Sequence, residues 1–283
     1  MIKKKSSKPK QQLGRPLLPD QVRDYRLLME RWHQLVQDVI PLELSVYGEA
    51  GCYPLIVVHS ERRDPRLPSV YLSAGIHGDE PAPVEGLLRW VVETFRADPS
   101  LALWNWMIFP CLNPWGLERN VRFDAQGLDL NRYYNSRKVS QITAQLALMR
   151  GHRYDVAVSL HEDYDARGFY LYEIAAKRPH WGESLCSECA SSLPLDERRK
   201  IDGHSSRNGL IRRRISPEMM KGHPESFRLH LRHADRTFTL ETPSEESLEK
   251  RVNLQKEFLT LVVKKLKSED GVAGRNRLKR PSS

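Results

Sequence analysis

Residues 68–80 read Pro-Ser-Val-Tyr-Leu-Ser-Ala-Gly-Ile-His-Gly-Asp-Glu, an apolar run that ends in a histidine and two acids. The apolar part is short and bounded by turn residues, which is typical of a buried strand. Gly75 and Gly78 break the pattern, so His77 is expected on a sharp loop directly after the strand. The stretch therefore predicts a strand that delivers His77 and Glu80 to one edge of a sheet.

A second histidine follows another predicted strand. Residues 154–160 form an apolar run, and His161 comes directly after it. Because the carboxyl ends of parallel strands meet at one edge of a sheet, we expect His161 to lie near His77 and Glu80. Two histidines and one glutamate form an open zinc triad, which leaves a fourth position for water as in a catalytic site. The sequence therefore predicts one Zn²⁺ ion per chain.

Two further segments supply the other groups that a zinc hydrolase needs. Arg122 precedes Asp129-Leu130-Asn131-Arg132, and Leu240-Glu241-Thr242-Pro243 follows an apolar stretch late in the chain. A glutamate can take the proton from the water, and an arginine can hold a developing oxyanion. An Asn-Arg pair can grip a substrate carboxylate, because the guanidinium donates two parallel hydrogen bonds.

In this order the segments resemble the zinc carboxypeptidase superfamily, the funnelins. That superfamily includes pancreatic-type carboxypeptidases, bacterial murein-peptide amidases and, more distantly, aspartoacylases and succinylglutamate desuccinylases. Its pattern is His-x-x-Glu, Asn-Pro-x-Gly, an Arg, Asp-x-Asn-Arg, a lone His after a strand and a Glu after the last strand. The matching elements, between about residues 42 and 266, are His77/Glu80, Asn113-Pro114-Trp115-Gly116, Arg122, Asp129/Asn131/Arg132, His161 and Glu241.

The resemblance implies a metal centre and a further residue that orients one of the metal ligands. His77, Glu80 and His161 are the expected ligands of the zinc ion. Asp129 is expected to orient His77 by accepting its other ring N–H. A simpler role for Asp129, the capping of a loop, is the competing interpretation.

The resemblance also implies the catalytic and substrate-binding residues. Glu241 is expected to act as general base and then as general acid, although it could be an ordinary surface glutamate. Arg122 is expected to stabilise the oxyanion, with Arg119 as the alternative. Asn131 and Arg132 are expected to bind the carboxylate of the substrate.

The remaining pattern predicts a single α/β domain. Helices are expected over 20–38, 83–95, 139–150 and 246–267, and strands over 42–47, 53–58, 68–76, 103–111, 154–160, 168–174 and 236–240. Strands that alternate with helices indicate a mostly parallel or mixed sheet with helices on both faces. The resemblance implies that this twisted sheet has eight strands. Residues 115–136 are expected to form a long functional loop.

Composition sets the limits of this domain. The chain has 283 residues, 40% of them hydrophobic, which suffices for one catalytic domain over 19–268. Residues 1–18 and 269–283 are expected to be disordered basic tails, because much of the net charge of +9 lies there among Ser, Pro and Gly. Neither a secretory signal nor an apolar run of about eighteen residues is visible, so a cytoplasmic protein is expected.

Two other features have a plain and a functional interpretation. Cys186-Ser-Glu-Cys189 could be a redox or metal pair, but we favour two cysteines on a helical turn because no second pair accompanies it. The basic clusters 198–200 and 212–214 are either solvated faces or attract acidic substrates. Since much of the excess charge lies in the tails, no nucleic acid is expected as a partner. No membrane is expected either, because no apolar run of about eighteen residues is visible.

The predicted function is a zinc hydrolase that cleaves an amide bond next to a free carboxylate, as a carboxypeptidase does. The expected substrate is a peptide or an N-acyl amino acid. The alternative within this chemistry is an amidase or deacylase of murein peptides or N-acyl amino acids. The pancreatic enzymes have a mobile Tyr upstream of the catalytic Glu, whereas this chain has none between Tyr172 and Glu241, so specificity stays open. The alternative from another class is a binding protein with a vestigial zinc site.

Overall fold

The computed structural model describes residues 13, 16–18, 20–176, 178–216, 219 and 222–277, with side chains up to residue 269. The strands are β1 (Glu43–Ala50), β2 (Tyr53–His59), β3 (Ser69–Ser73), β4 (Asn105–Phe109), β5 (Val156–Asp163), β6 (Tyr170–Ala175), β7 (Lys200–Ile201), β8 (His204–Ser205), β9 (Leu210–Arg212) and β10 (Arg236–Pro243). The α-helices are α1 (Tyr25–Asp38), α2 (Pro81–Ala97), α3 (Pro114–Arg119), α4 (Ser140–Leu148), α5 (Gly182–Cys189), α6 (Glu225–Arg232) and α7 (Leu248–Arg277). Short 3₁₀ turns cover Gln21–Arg23, Pro99–Leu103 and Leu130–Arg132.

Eight of the strands form one sheet in the order β1-β2-β4-β3-β5-β10-β6-β9. The central strands β4, β3, β5 and β10 run parallel to one another. β2 joins β4 antiparallel, β1 joins β2 antiparallel, and β6 joins β10 antiparallel. β7 and β8 form a separate two-stranded ribbon. The predicted α/β fold with an eight-stranded mixed sheet is confirmed.

Successive residues of the central strands supply two hydrophobic layers, one on each face of the sheet. Leu72 of β3 belongs to a core shared with α1, α2 and α7, whereas Tyr71 belongs to a core shared with α4 and α6. Because side chains alternate between the faces of a strand, a sheet covered on both sides needs continuous apolar runs. Among the described residues, no helix is long and apolar enough to span a membrane.

Two local predictions need correction. The helix predicted over 20–38 begins only at Tyr25, because Asp24 caps its first turn by accepting a backbone N–H. The loop predicted over 115–136 contains most of α3, because the Asn113 side chain caps that helix in the same way. Both corrections come from capping residues that the apolar periodicity does not record.

The predicted tails also differ from the structure where it describes them. Leu13 is buried, and its carbonyl accepts a hydrogen bond from Arg31 Nη2 at 3.2 Å. At the other end α7 continues to Arg277, into the tail predicted over 269–283, because no proline interrupts the helix. Most of the tail predicted over 1–18, and residues 278–283, lie outside the described residues.

A buried ion pair joins α1 to α2. Arg31 Nη1 donates to Glu85 Oε2 at 2.5 Å and Arg31 Nη2 to Glu85 Oε1 at 3.0 Å, and the two side chains are 7% and 2% exposed. Arg31→Met leaves the carboxylate buried without its cation, so we expect the free energy of unfolding to fall by about 3–5 kcal/mol. Urea unfolding measures the change. Arg26→Met removes an exposed pair on the same helix, and an equal loss in both variants would contradict the prediction.

Candidate active site

The metal ligands predicted from the sequence lie together at the carboxyl edge of the central strands. His77 lies between β3 and α2, Glu80 directly precedes α2, and His161 is on β5. All three are buried, and one ligand atom from each lies within 4.8 Å of the others. Glu80 contacts both histidines, with Oε1 2.6 Å from His77 Nδ1 and Oε2 3.0 Å from His161 Nδ1.

A close backbone approach explains the glycine between the first two ligands. A Cβ on Gly78 would lie 2.0 Å from the carbonyl carbon of Gly116 in α3, so no larger residue fits without a shift of the backbone. Gly75 has a φ of +64°, a conformation that glycine adopts without strain. The chain can therefore turn sharply after β3 and place His77 and Glu80 on one side.

The donor set fits a zinc ion. Two imidazole nitrogens and a carboxylate are the ligands of catalytic zinc sites with an open position. Within the described residues, Glu80 Oε2 is buried and has no hydrogen bond, although it lies beside His161. Burial opposes the charged form of His77, but Glu80 and Asp129 outweigh this effect and raise the pKa of His77 to about 9. A bound cation would replace the proton that these carboxylates attract.

Asp129 connects the first histidine to Arg122. Asp129 Oδ1 lies 3.2 Å from His77 Nε2, so it can accept that ring N–H while Nδ1 faces Glu80. Asp129 Oδ2 accepts a hydrogen bond from Arg122 Nη2 at 3.1 Å. Burial opposes the charge on Asp129, but His77 and two arginines, Arg122 and Arg132, hold its pKa well below the usual range. Asp129 therefore lies within hydrogen-bond distance of the ring nitrogen that faces away from Glu80, the position of a residue that orients His77.

Arg122 lines the same cleft as the three ligands. Its Nη1 lies 3.9 Å from Glu80 Oε1, so the guanidinium is within reach of a group bound beside the ligands. Arg119, the alternative considered for the oxyanion, is exposed and stacks on Trp115 at 4.6 Å. Arg119 is not among the cleft-lining residues, and this placement favours Arg122.

Asn131 and Arg132 line the cleft on the segment that follows Asp129. The Arg132 side chain is 50% exposed and donates from Nη1 to the Asn131 carbonyl at 3.0 Å. Asn131 Oδ1 accepts the backbone N–H of Glu225 at 2.8 Å. Because its oxygen is engaged in this way, Asn131 has its NH₂ left to offer to a ligand.

Glu241 is placed next to the metal ligands by strand pairing. β10 pairs with β5 so that Glu241 is in register with His161, and the partly buried side chain lines the cleft. Removal from water raises the pKa of Glu241 to about 8; His161 opposes this shift, and the Glu80 and Asp163 carboxylates add to it. A carboxyl group with this pKa can accept a proton and return it near neutral pH.

The cleft, with a volume of about 970 Å³, contains residues that the sequence did not single out. Tyr170 on β6 pairs with Glu241 and donates from Oη to Asp163 Oδ2 at 2.8 Å. Arg213 stacks on Phe227 at 4.9 Å on another part of the cleft. The strand pattern of β6 directly after β5 is a signal that could have pointed to Tyr170. Arg213 belongs to the basic cluster 212–214 noted in the sequence, whereas Phe227 follows no recognisable pattern.

Cys186 and Cys189 lie on α5, and both are buried and free. They belong to the hydrophobic core and are not among the cleft-lining residues. Burial raises the pKa of the Cys186 thiol to about 12, which makes it unreactive near neutral pH. These observations agree with the interpretation as two cysteines on a helical turn.

The chain matches one family model in sequence. Residues 66–204 match the family described as the Succinylglutamate desuccinylase/Aspartoacylase catalytic domain. The matched stretch contains His77, Glu80, Asp129 and His161 and ends before Glu241. A search of curated proteins finds no match.

Solved structures share the fold at low sequence identity. One from Shewanella baltica OS155, described as a candidate metallopeptidase, is 23% identical with a TM-score of 0.74, over 84% of this chain and 91% of that chain. A metallo-carboxypeptidase from Burkholderia cenocepacia is 16% identical with a TM-score of 0.61, over 84% and 69%. A metallo-carboxypeptidase from Pseudomonas aeruginosa in complex with (2-guanidinoethylmercapto)succinic acid is 18% identical with a TM-score of 0.59, over 81% and 66%.

The family match over residues 66–204 and the shared fold together support one class of protein, the zinc carboxypeptidase superfamily. Within that superfamily it has aspartoacylase-like relatives, as the match over residues 66–204 shows. The chain is therefore a metallohydrolase of the metallocarboxypeptidase-like or desuccinylase/aspartoacylase type. The family and the enzyme class predicted from the sequence are confirmed.

Proposed function

We propose that the chain is a zinc-dependent hydrolase that cleaves an amide bond next to a free carboxylate, as a metallocarboxypeptidase does. One observation carries the proposal: the buried His-Glu-His donor group shares a cleft with a carboxyl group of raised pKa, Glu241, and with the arginines Arg122 and Arg132. Hydrolysis needs the metal-binding donor group and the Glu241 carboxyl group, and recognition of an anionic substrate needs the arginines.

His77, Glu80 and His161 would hold the zinc ion. When bound, zinc polarises the substrate carbonyl and lowers the pKa of a water molecule toward about 7. Asp129 keeps His77 in the ring orientation in which Nδ1 faces Glu80.

Glu241 and Arg122 carry out the steps that depend on the protein itself. The Glu241 carboxylate takes a proton from the attacking water, and the resulting acid returns it to the nitrogen of the leaving amine. Arg122 donates hydrogen bonds to the oxygen on which negative charge develops. Asp129 fixes Arg122 for this task through the contact at 3.1 Å.

Arg132 and Asn131 would bind the free carboxylate of the substrate. The half-exposed guanidinium offers paired donors, and the Asn131 NH₂ adds a further one. A carboxylate held on the segment after Asp129 would put the neighbouring amide bond in the cleft that Glu241 also lines. Orientation of this kind contributes a large share of catalysis.

A deacylase of N-acyl amino acids is the second candidate, and the match to the Succinylglutamate desuccinylase/Aspartoacylase catalytic domain favours it. Both activities would use the same donors, base and carboxylate-binding residues. A panel of C-terminal peptides, γ-glutamyl peptides and N-acyl amino acids distinguishes them. Turnover of N-acyl amino acids alone would replace carboxypeptidase by deacylase.

Removal of the Arg132 guanidinium should weaken the binding of substrates with a free carboxylate. We expect Arg132→Ala to raise KM roughly 10- to 150-fold, because a hydrogen bond to a charged group contributes about 1.5–3 kcal/mol. Amidation of the substrate carboxylate should raise KM of the wild-type enzyme similarly. Arg119→Ala, outside the cleft, is the matched control and should change nothing. Equal KM values for the acid and the amide with the wild-type enzyme would contradict the proposed function.

A further inference from the structure

Glu225 is a carboxylate at the start of α6 that is only 1% exposed. Four side-chain donors surround it at 2.5–3.0 Å: Tyr71 Oη and Gln145 Nε2 on Oε1, and Ser73 Oγ and Ser159 Oγ on Oε2. Tyr134 Oη lies 3.1 Å from Oε1 and shares its hydrogen between Glu225 and Gln145 Oε1, which is 2.7 Å away. A buried carboxylate that loses its water needs such donors, and each hydrogen bond to a charged group is stronger than a neutral one. The first turn of α6 is therefore firmly attached to the molecule.

The donors come from separate parts of the fold. Tyr71 and Ser73 belong to β3, Gln145 belongs to α4, and Ser159 lies on β5 two residues before the proposed ligand His161. Tyr134 follows the segment that carries the proposed carboxylate-binding residues. Glu225 thus links the start of α6 to the strands and to the segment that form the cleft.

The backbone near Glu225 makes a second connection to this segment. The Glu225 N–H donates to Asn131 Oδ1 at 2.8 Å, and the Tyr134 N–H donates to the His223 carbonyl at 3.2 Å. Both ends of the segment 131–134 are therefore hydrogen-bonded to residues at or just before the start of α6. The first of these bonds also decides which end of the Asn131 amide is free, since its oxygen is the acceptor.

We propose, on the basis of the function proposed above, that Glu225 is a positioning residue that holds the Asn131 NH₂ ready for the substrate carboxylate. The buried carboxylate fixes the first turn of α6, and the N–H of the same residue fixes the Asn131 side chain. Both Glu225 oxygens already accept hydrogen bonds from the protein, so Glu225 acts through Asn131 and not by contact with the substrate. The Asn131 amide is then preorganised before the substrate arrives.

The test is a change that preserves the size of the side chain and removes an acceptor. Glu225→Gln places an NH₂ group against hydroxyl or amide donors, which loosens the start of α6. We expect KM for a substrate with a free carboxylate to rise about 10-fold, because the substrate loses one well-placed hydrogen bond to its charge. Zinc content and kcat should stay close to the wild-type values, as for the loss of an interaction made equally in the ground and transition states.

A double-mutant cycle separates positioning from a general loss of stability. If Glu225 acts through Asn131, Glu225→Gln raises KM in the wild-type background and has no further effect in Asn131→Ala. Glu173→Gln is the matched control, because Glu173 is buried and accepts three hydrogen bonds without lining the cleft. It should leave KM unchanged even where Tm falls. An equal rise in KM in the Asn131→Ala background, or no rise in the wild-type background, would overturn the positioning role.

Hydrogen exchange gives a readout that needs no turnover. Backbone amides over 129–134 should exchange faster in Glu225→Gln than in the wild-type protein, and those of Glu173→Gln should not. Failure of the wild-type protein to hydrolyse any substrate would contradict the proposed function. Faster exchange in Glu225→Gln would still show that Glu225 holds the segment 129–134 in place. Unchanged exchange over 129–134 in Glu225→Gln would show that Glu225 does not hold this segment. Should Glu225→Gln fail to fold, Tyr134→Phe removes the hydroxyl that contacts Glu225 Oε1 and Gln145 Oε1, and the same two outcomes apply to it.

Discussion

Replacement of Glu241 by Gln should lower kcat about 10²–10⁴-fold, the usual contribution of a positioned general base and acid. The amide retains the shape of the side chain but cannot accept the proton of the attacking water. Glu241 is in register with His161 but is not part of the three-residue donor group, so zinc should remain bound near one equivalent. Steady-state kinetics at saturating substrate and elemental analysis measure the two quantities.

Asp165→Asn is the matched control for this experiment. Asp165 is another acid of the cleft, but it is exposed and is not part of the three-residue donor group. It should keep both its zinc and its kcat. A decrease below about 10-fold in Glu241→Gln would contradict the acid–base role, because general acid–base catalysis commonly contributes at least 10²-fold. Loss of zinc from the same variant would make Glu241 a ligand.

The central strands are the part of the fold that sequence predicts best. β3 and β5 read as apolar runs because both of their faces are covered by helices. The strands missed are the short ones: β9 has three residues, and β7 and β8 have two each. So few residues show no period, and their pairing depends on contacts with distant parts of the chain. The eight-strand count therefore came from the resemblance and not from the pattern.

The candidate site likewise contains residues that the sequence could predict and residues that it could not. His77, His161 and Glu241 were predictable because each lies at or near the carboxyl end of a strand, and topology gathers such ends at one edge. Glu225 was not predictable, since a glutamate in the first turn of a helix is common at any helix start. Its hydrogen bond to Tyr71 joins residues 154 positions apart, and no local pattern records a contact of that range.

Replacement of Glu80 by Gln should remove most of the bound zinc. Glu80 supplies the single negative charge of the donor group and contacts both histidines. A neutral amide donates less charge to a cation, and the buried site would then lose the anion that balances the metal. We expect zinc affinity to fall by more than the roughly 10–100-fold that is typical when an outer partner of a ligand is changed. Competition with a chelator measures the affinity.

Asp129→Asn is the variant for comparison, because Asp129 contacts the ligand His77 but is not itself part of the donor group. Zinc affinity should fall in the order wild type, Asp129→Asn, Glu80→Gln. Excess zinc should restore part of the activity of Glu80→Gln, since it lacks a ligand, but none of that of Glu241→Gln, which lacks the proton acceptor. Should Glu80→Gln keep its zinc while Glu241→Gln loses it, the two carboxylates have exchanged roles, and the donor group proposed for this site is wrong.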